Sequence, residues 1–578
     1  MHARQLILIR FAAQTNTGRR MTKFIIVAGG VISGVGKGVA AASIGRILEE
    51  YGFSVTAIKI DPYINCDAGT MRPTEHGEVW VTDDGGETDQ DLGNYERFLG
   101  VSIPKRNNIT TGQVYKKVID DERSGRYLGQ TVQLIPHITD EIRDRIVEAS
   151  SGFDIAIVEV GGTVGDYENI PFLFSIKNME NEIGKGNMCY MLVTYLPIPS
   201  HIDEMKTKPT QTSVKLLREN GIQPDFILCR GKNALDEPRK KKIEQYAQIV
   251  ADHVISMPDV TGPGTVNSLY AIPLQLQGEG LGEKLLATLG LAKKRDATFT
   301  EWRGMMDGIT AAAREVRVGM VGKYLDIGDY RLADSYISVN EALRHACAEH
   351  KARLRLEWIN SKDLESDKFD ARSLDQYDGI IVPGGFGSSG VEGKISAIRY
   401  CRENDKPFLG LCYGLQLSIV EFARNVCGLE GAHTTEIDPG AKNPVIDILP
   451  EQKGVIKKGG TMRLGAYPAV LKGGTVVHSL YGRDSVTERH RHRYEVNPEY
   501  HAVLQEHGMV FSGMSPDGRL VEFIELPGRR FFVATQAHPE FKSRFLSPAP
   551  LFDGFIGACL AADGAPARPG EAQAMARH

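Results

Sequence analysis

Short apolar runs alternate with helical patterns from Phe24 to about Gly290. The runs that we interpret as buried strands are Phe24–Val27, Ser54–Ile60, Ile155–Val160, Met188–Thr194 and Phe226–Cys229. The helical patterns include Asp140–Ala149, Thr212–Asn220 and Arg239–Asp252. This alternation predicts an α/β domain with a parallel sheet and helices on both faces. In such a domain, ligands gather at the carboxyl ends of the strands.

A second series of apolar runs and helical patterns begins at Val316–Val321. Its apolar runs include Ile380–Val382, which leads into a glycine turn, and Phe531–Ala534. We therefore predict two doubly wound α/β domains, the first over 22–290 and the second over 316–561, joined by a linker over 291–315.

The two ends of the chain differ in composition from these domains. Residues 1–21 are basic and contain no acidic side chain. We interpret them as a disordered or non-native extension, with a transit peptide as the alternative. Residues 562–578 are rich in Ala, Pro, Gly and Arg, which predicts a disordered tail.

Composition narrows the class of protein. The 578 residues are 42% hydrophobic and 24% charged, as is typical of a soluble globular protein. A net charge of -5 argues against nucleic acid as a partner, and no apolar run approaches the roughly 20 residues needed to span a bilayer. Eight cysteines without paired or metal-binding spacing indicate a reducing compartment, so we expect the protein to be cytoplasmic.

A glycine-rich loop follows the first predicted strand. The loop residues are Gly29, Gly30, Gly34, Gly36, Lys37 and Gly38. A strand, glycine loop, lysine and helix in this order are typical of a phosphate-binding loop, because backbone N–H groups, the helix N-terminus and the lysine all attract phosphate oxygens. Gly38 stands where a standard P-loop has a Ser or Thr magnesium ligand, so we expect the metal ligands elsewhere. An ordinary strand–helix turn is the alternative.

Acidic residues follow the predicted strands. Glu159 ends one strand before a glycine-rich turn, and Glu87–Asp91 contains several acids in a polar loop. Magnesium prefers one or two carboxylates together with phosphate oxygens, so these acids are candidate ligands. A helix cap or a surface charge is the alternative for any one of them.

Two lysines lie close together in a loop that contains proline. Lys206 and Lys208 belong to the stretch KTKPTQ, and two such point charges can bind a triphosphate. A solvated basic loop is the alternative.

Six motifs in the first half resemble the amidoligase half of the CTP synthase family. In chain order they are GGVISGVGKG, KIDPYINCDAGTM, EHGEVWVTDDGGETDQDLGNYERF, NNITTGQVY, VEVGGTVGD and KTKPTQ. The resemblance covers about Lys23 to Gly290. It implies a P-loop-like parallel-sheet synthase domain that phosphorylates O4 of UTP with ATP and then replaces the phosphate with ammonia.

The resemblance also implies roles for individual residues. ATP would be bound by Ser33, Gly34, Gly36, Lys37, Gly38, Lys59 and Asp91, with Lys37 also catalytic. Magnesium would be held by Asp91 and Glu159. UTP, or CTP as inhibitor, would be bound by Ser33, Asp166, Glu168, Lys206, Lys208, Gln211 and Lys242. His76 would line the route of ammonia.

A cysteine in the second half stands at a sharp turn between a strand and a helix. Cys412 lies in GLCYG and is followed by the helical pattern Leu415–Asn425. This arrangement is that of a nucleophile elbow, and the helix N-terminus favours the thiolate. His538 and Glu540 follow the apolar run Phe531–Ala534, so the histidine is the candidate base and the glutamate would orient it. A buried structural cysteine is the alternative.

These features resemble a class I glutamine amidotransferase domain over about Val316 to Ala561. The resemblance implies a glutamyl thioester on Cys412 and an oxyanion hole formed by the N–H groups of Gly385 and Tyr413. It further implies that glutamine is bound by Gly385, Tyr413, Gln416, Glu436 and Arg493. Tyr413 replaces the commoner aliphatic residue after the cysteine, and we expect activity to survive this change because only its backbone is needed.

Together the two resemblances imply amination of UTP to CTP with ATP, Mg²⁺ and glutamine. They also imply activation by GTP, inhibition by CTP and a homotetramer built as a dimer of dimers. Two alternatives remain at this point. One is another glutamine-dependent amidoligase, such as a cobyrinic acid amidating enzyme, and the other is a non-catalytic, filament-forming relative.

Overall fold

The structure is a computed structural model that describes residues 21–72, 76–201, 204–261, 267–322, 326–327, 330–331, 333–365, 371–448 and 462–561. Both predicted disordered ends lie outside these residues, except Met21. The chain divides into two compact units. The first comprises Met1–Asp67 and Asp91–Thr300, and the second comprises Ala68–Gln90 and Glu301–His578. Among the helices of the described residues, none has the length and apolar character needed to cross a membrane.

The first unit is built on a seven-stranded parallel sheet. Its strands are β1 (Lys23–Gly29), β2 (Val55–Asp61), β5 (Asn108–Thr110), β6 (Ile155–Val160), β7 (Met188–Tyr195), β8 (Phe226–Gly231) and β9 (Val254–Pro258). Strands β3 (Trp80–Val81) and β4 (Glu87–Thr88) form a two-stranded antiparallel hairpin, which belongs to the second unit. The sheet order is β5-β2-β6-β1-β7-β8-β9. Strand β1 is central, which agrees with its almost entirely buried side chains.

Helices connect the parallel strands of the first unit. They are α1 (Lys37–Glu50), α2 (Asp91–Leu99), α3 (Thr111–Arg123), α4 (Thr139–Ser150), α5 (Ile170–Ile183), α6 (Lys208–Glu219), α7 (Glu237–Ala247), α8 (Ile272–Gly278) and α9 (Leu281–Thr288). The predicted strands are confirmed to within two residues at each end. The predicted helix Arg239–Asp252 ends earlier, at Ala247, because Gln248 adopts a left-handed conformation with φ 48°.

The second unit contains a nine-stranded mixed sheet. The strands of this sheet are β10 (Arg314–Gly322), β13 (Ala352–Asn360), β14 (Gly379–Val382), β15 (Phe408–Leu411), β18 (Arg463–Leu471), β19 (Ser485–His492), β21 (Val510–Met514), β22 (Val521–Glu525) and β23 (Phe532–Thr535). Smaller sheets contain β11 (Asp326–Ile327), β12 (Tyr330–Arg331), β16 (Ala432–Thr434), β17 (Asn443–Ile448) and β20 (Tyr494–Val496). The nine-stranded order is β13-β10-β14-β15-β23-β22-β21-β18-β19. Strands β13 to β23 in this order are parallel, and the remaining pairs are antiparallel.

Helices cover the faces of this second sheet. They are α10 (Thr300–Thr310), α11 (Ile337–Glu349), α12 (Val391–Glu403), α13 (Tyr413–Asn425), α14 (Val476–Tyr481), α15 (His501–Glu506) and α16 (Pro550–Leu560). Two apolar clusters flank the sheet, one including α12 and α13 and the other including α11 and α16. The α/β class and the two sheets are therefore confirmed.

Candidate active sites

The glycine loop of the first unit joins β1 to α1. Gly36 precedes the helix with φ 93°, a left-handed conformation that favours glycine, and Lys37 is the first helical residue. The Lys37 ammonium group donates a hydrogen bond to the backbone oxygen of Gly162 at 2.8 Å. Burial lowers the pKa of Lys37, while the nearby carboxylate of Glu159 opposes this change. The Lys37 side chain thus lies at the carboxyl ends of the parallel strands, where a phosphate-binding residue is expected.

A buried charge cluster lies beside this loop. Lys59, at the end of β2, forms ion pairs with Asp91 and, at 3.0 Å, with Glu159. Asp61 lies 3.8 Å from the same ammonium group, and the Tyr95 hydroxyl donates to Glu159. Burial, reinforced by Glu159, raises the pKa of Tyr95 well above its usual value. The predicted ATP and magnesium residues Lys59, Asp91 and Glu159 therefore converge.

The departure from the standard P-loop at Gly38 has a steric explanation. A β-carbon at this position would lie only 2.2 Å from Oδ1 of Asp91. The Asp91 carboxylate thus occupies the space beside the helix that a Ser or Thr side chain would need. Glycine at residue 38 allows Asp91, which begins α2, to approach the phosphate loop.

The other predicted nucleotide residues occupy several elements of the first unit. Ser33 and Gly34 are exposed in the glycine loop. Asp166 accepts a hydrogen bond from the N–H of Thr163 at 2.6 Å, and Glu168 is exposed nearby in the same connection after β6. These side chains follow the carboxyl ends of strands, as the parallel sheet predicts.

The KTKPTQ stretch lies at the start of α6. Lys208 is exposed as the first residue of this helix, whereas Gln211 is buried and its amide donates to the Thr207 hydroxyl at 3.4 Å. Lys206 pairs with Glu204 just before the helix. Lys242 is exposed on α7.

The nucleophile elbow of the second unit is present at Cys412. This residue lies between β15 and α13 with φ 50° and ψ -95°, a strained conformation for a non-glycine residue. Its N–H donates to the backbone oxygen of Thr535 at 2.7 Å, which fixes the turn to the neighbouring strand. The Gln536 amide contacts Sγ of Cys412 at 3.6 Å, and the backbone oxygen of Arg491 lies 3.9 Å from this sulfur.

His538 and Glu540 lie together after β23, as predicted. Nδ1 of the imidazole is 2.7 Å from Oε1 of Glu540. Burial alone would lower the pKa of His538, but Glu540 and Cys412 outweigh it and raise this pKa to about 10. Gly384 lies next to both residues, since a β-carbon there would be 2.8 Å from Cε1 of His538 and 3.7 Å from Cβ of Cys412. The three side chains can therefore support nucleophilic catalysis.

A cavity of about 660 Å³ opens onto Cys412 and His538. Four of the predicted glutamine residues line it: Gly385, Gln416, Glu436 and Arg493. Tyr413, the fifth, is buried behind the elbow. The Gln416 amide donates to the backbone oxygen of Tyr494 at 3.0 Å, and Oε1 of Glu436 accepts from the N–H of Gly387 at 2.8 Å. The volume is in the range of small-molecule sites.

The hairpin segment Ala68–Gln90 forms another wall of this cavity. Gly69, Thr70, Met71, Glu78 and Val79 line it. Glu87 binds the guanidinium group of Arg491 at 2.8 Å, and Asp83 binds that of the fully buried Arg489 at 2.6 Å. Predicted residue His76 lies in the same segment and pairs with Asp89 at 3.1 Å. This segment belongs to the second unit, although it lies within the range 22–290 predicted from the sequence as the first domain.

The sequence assigned no role to several residues of the two sites. Asp61 and Tyr95 join the charge cluster, while Gln536 and the Arg491 backbone contact the thiol. The run GETDQDLGNYERF contained a usable signal for Tyr95, which lies four residues after Asp91 and so on the same face of a helix. The contacts at the thiol had no local signal, because they join residues more than 70 positions apart.

Two family models match the chain. The model described as CTP synthase N-terminus matches residues 23–291, and the one described as glutamine amidotransferase class-I matches residues 331–558. The phosphate loop and charge cluster lie within the first match. The elbow, His538 and Glu540 lie within the second.

Curated relatives match almost their whole length. The CTP synthase of Methanocaldococcus jannaschii is 53% identical over 546 residues, covering 94% of this chain and 99% of the relative. That of Rubrobacter xylanophilus is 51% identical over 541 residues, covering 94% and 96%. A solved structure of the Trypanosoma brucei CTPS glutaminase domain with bound acivicin is 35% identical, with a TM-score of 0.40, covering 44% of this chain and 98% of that one. The chain therefore belongs to the CTP synthase family: it is a glutamine-hydrolysing ligase that converts UTP to CTP by forming a carbon–nitrogen bond.

Proposed function

We propose that this conversion proceeds in two steps at the charge cluster of the first unit. ATP transfers its γ-phosphoryl group to O4 of UTP, and ammonia then displaces phosphate from C4 to give CTP. Lys37 and Lys59 would neutralise charge on the transferring group, because phosphoryl transfer depends mainly on positioning and electrostatic stabilisation. The glycine loop, with Ser33, Gly34, Gly36 and Gly38, would supply backbone contacts to ATP.

The residues around Lys59 fit a magnesium site. Asp91 and Glu159 offer the hard carboxylate oxygens that Mg²⁺ prefers, and both converge on one ammonium group. Magnesium is usually held by one or two carboxylates together with phosphate oxygens and water, so substrate phosphates would complete the coordination. Bound magnesium would neutralise phosphate charge. Asp91 and Glu159 would hold it, and Tyr95 would orient Glu159.

The triphosphate of UTP, or of CTP as feedback inhibitor, would be bound by Lys206, Lys208 and Lys242. Gln211 would add an amide contact, and Asp166 and Glu168 would lie beside this nucleotide. The support is the family resemblance at KTKPTQ and VEVGGTVGD together with the placement of these residues after strand ends. GTP as activator, and a homotetramer assembled as a dimer of dimers, are likewise proposals from the family.

Glutamine hydrolysis would occur at Cys412. The thiolate attacks the amide carbon, and the N–H groups of Gly385 and Tyr413 stabilise the oxyanion. His538 donates its proton to the departing ammonia, and the resulting thioester is hydrolysed to glutamate by a water molecule that His538 activates. Glu540 orients the imidazole. Gln416, Glu436 and Arg493 would bind the amino acid part of glutamine.

We further propose that ammonia passes inside the protein, with His76 on its route. A closed passage keeps ammonia unprotonated, which preserves it as a nucleophile. The single observation that carries the proposed function is the elbow Cys412 beside the His538–Glu540 pair, in a chain that also holds the Lys37 loop and its carboxylates.

The test is the variant Cys412→Ala. We expect loss of glutamine-dependent CTP synthesis, because no thioester can form without the sulfur nucleophile. The variant should still make CTP from ammonium salts, increasingly at higher pH as free ammonia rises. CTP production is measured at fixed ATP and UTP with either nitrogen source.

A buried cysteine provides a control for this experiment. Cys401→Ala alters a free cysteine on α12, so it should leave both activities in place. Loss of synthesis from ammonium as well as from glutamine, in a folded Cys412→Ala protein, would contradict the proposed division of labour.

A further inference from the structure

The side chain that follows the nucleophile makes specific contacts. Tyr413 is 1% exposed, and its hydroxyl donates a hydrogen bond to the backbone oxygen of Gly387 at 3.0 Å. The N–H of the same Gly387 donates to Oε1 of Glu436 at 2.8 Å. Tyr413 therefore connects the start of α13 to the loop Gly384–Gly387, and through this loop to a cavity-lining carboxylate. We call Gly384–Gly387 the oxyanion loop, because Gly385 is the proposed oxyanion donor.

A fully buried lysine lies against the same groups. Lys394, in the first turn of α12, is 0% exposed, and its ammonium nitrogen is 5.1 Å from the centroid of the Tyr413 ring. A β-carbon at Gly385 would lie 3.6 Å from this nitrogen and 3.9 Å from Cδ1 of Tyr413. The side-chain nitrogen of Lys394 is thus next to Gly385 and Tyr413, whose N–H groups form the proposed oxyanion hole.

Full burial of the Lys394 side chain carries a free-energy cost that its neighbours must offset. Moving an ammonium group out of water is costly, and an aromatic face compensates part of this cost. In surroundings of low polarity, a positive charge also acts over a longer distance than it would in water. An aliphatic residue at position 413 would provide neither the aromatic face nor the hydroxyl group.

We propose that Lys394 and Tyr413 form a positioning pair for glutamine hydrolysis. Tyr413 holds the oxyanion loop in place through its hydroxyl, and Lys394 supplies a buried positive charge behind the oxyanion hole. Neither side chain touches the reacting atoms. This inference rests on the proposed hydrolysis of glutamine at Cys412. It also replaces the expectation that only the backbone of residue 413 matters.

The pair acts on a defined chemical step. When the Cys412 thiolate bonds to the amide carbon, the carbonyl π electrons move to the amide oxygen, which becomes negative. The C–N bond then breaks as His538 protonates the nitrogen, and the oxygen regains its double bond. The field of Lys394 favours the species with the negative oxygen, so its loss should slow this step more than it weakens binding of the uncharged amide.

The main test compares Lys394→Met with the wild type and with Lys394→Arg. Methionine keeps an unbranched side chain of similar length without the charge. We expect Lys394→Met to lower kcat for glutamine hydrolysis about tenfold and to weaken inhibition by glutamate γ-semialdehyde, whose adduct with a thiol is tetrahedral, by a similar factor. Lys394→Arg should restore part of both losses.

Alkylation by iodoacetamide separates this effect from a structural one. It needs the thiolate but no oxyanion hole, so its rate at Cys412 should stay within about twofold in Lys394→Met. The rate is followed by mass spectrometry of the Cys412 peptide, because Cys66 is also free and exposed. Equal losses in alkylation and hydrolysis would overturn the proposal, as would unchanged binding of the semialdehyde.

Tyr413→Phe tests the pair independently. It removes only the hydroxyl and keeps the ring beside Lys394, so we expect KM for glutamine to rise about threefold to tenfold while kcat changes less. An unchanged KM would overturn the role of Tyr413, even if Lys394→Met does not fold. A wild-type chain without glutaminase activity would instead overturn the proposed function itself.

Discussion

At the scale of single residues, His538 is the proposed acid and base of the second site, so its protonation state should control the pH dependence of glutamine hydrolysis. Its pKa of about 10 lies above the ordinary value of about 6.5, so the imidazolium form dominates at neutral pH. This form is the one that can protonate departing ammonia. Because the pKa of His538 is raised, the imidazole keeps its proton well above pH 6.5 and loses it as the pH rises through about 10.

Replacement of Glu540 should move this limit. In Glu540→Gln the carboxylate that raises the pKa of His538 is gone, so the imidazolium should lose its proton at lower pH. We expect the alkaline limb of kcat/KM for glutamine hydrolysis to move down by at least about one pH unit. The measurement is a pH–rate profile between about pH 6 and about pH 11, and an unmoved alkaline limb would show that Glu540 does not control the histidine.

The sequence alone was enough to select Cys412, His538 and Glu540 as candidates for the second site, and the cavity of that site is lined by all three. Cys412 follows one predicted strand, and His538 and Glu540 follow another, so their meeting at the carboxyl edge of a parallel sheet could be predicted. The neighbours that tune them could not be predicted in this way. Lys394 reaches the oxyanion loop only because α12 packs beside α13, and one helix position in an amphipathic pattern looks much like another.

At the scale of elements, the fit between the phosphate loop and α2 depends on Gly38. A larger residue would ordinarily favour the helix, since alanine is about 1 kcal/mol better than glycine in a helix interior. Here a β-carbon would lie 2.2 Å from the Asp91 carboxylate, so the acid would have to move.

The variant Gly38→Ala should therefore lose synthesis without losing stability. We expect ATP-dependent CTP formation from ammonium to fall by about two orders of magnitude, because Asp91 is displaced from the charge cluster. Thermal unfolding should be little changed. Gly278→Ala is the matched control, since its β-carbon would meet no atom within 4 Å. Full activity in Gly38→Ala would show that the position of Asp91 is not critical.

Elements with a continuous apolar run were predicted well, and those without one were missed. Strands buried on both faces, such as β1 and β6, can be recognised from their continuous apolar composition. The strand β5 is too short to show a pattern, and the antiparallel strands β18 and β19 alternate between buried and more exposed residues, so none of the three could be recognised in this way.

At the scale of the whole molecule, the two chemistries belong to different compact units. Lys37 lies in the first unit and Cys412 in the second. We expect Lys37→Ala to reduce CTP formation at least about 1000-fold with either glutamine or ammonium, because phosphoryl transfer loses its lysine. Glutamine hydrolysis without nucleotides should persist.

The comparison for this variant is Lys116→Ala, which removes an exposed lysine that pairs with its helical neighbour Asp120. This control should retain full synthesis. Appreciable ammonium-dependent CTP formation by Lys37→Ala would contradict the assignment of the phosphate loop. The order of motifs along the chain predicts which chemistry lies in which half, and the two family models match the chain in that order.

The hairpin segment Ala68–Gln90 limits how the chain can be dissected. A glutaminase fragment cut after residue 300 would retain Cys412, His538 and Glu540, yet it would lack the wall formed by Gly69–Met71 and Glu78–Val79. Arg489 and Arg491 would also lose their carboxylate partners. Such a fragment would leave the cavity at Cys412 open to bulk water on that side. The polypeptide crosses the boundary between the two units three times, so a single cut cannot separate them. A glutaminase fragment that preserves the site must therefore also include the segment Ala68–Gln90.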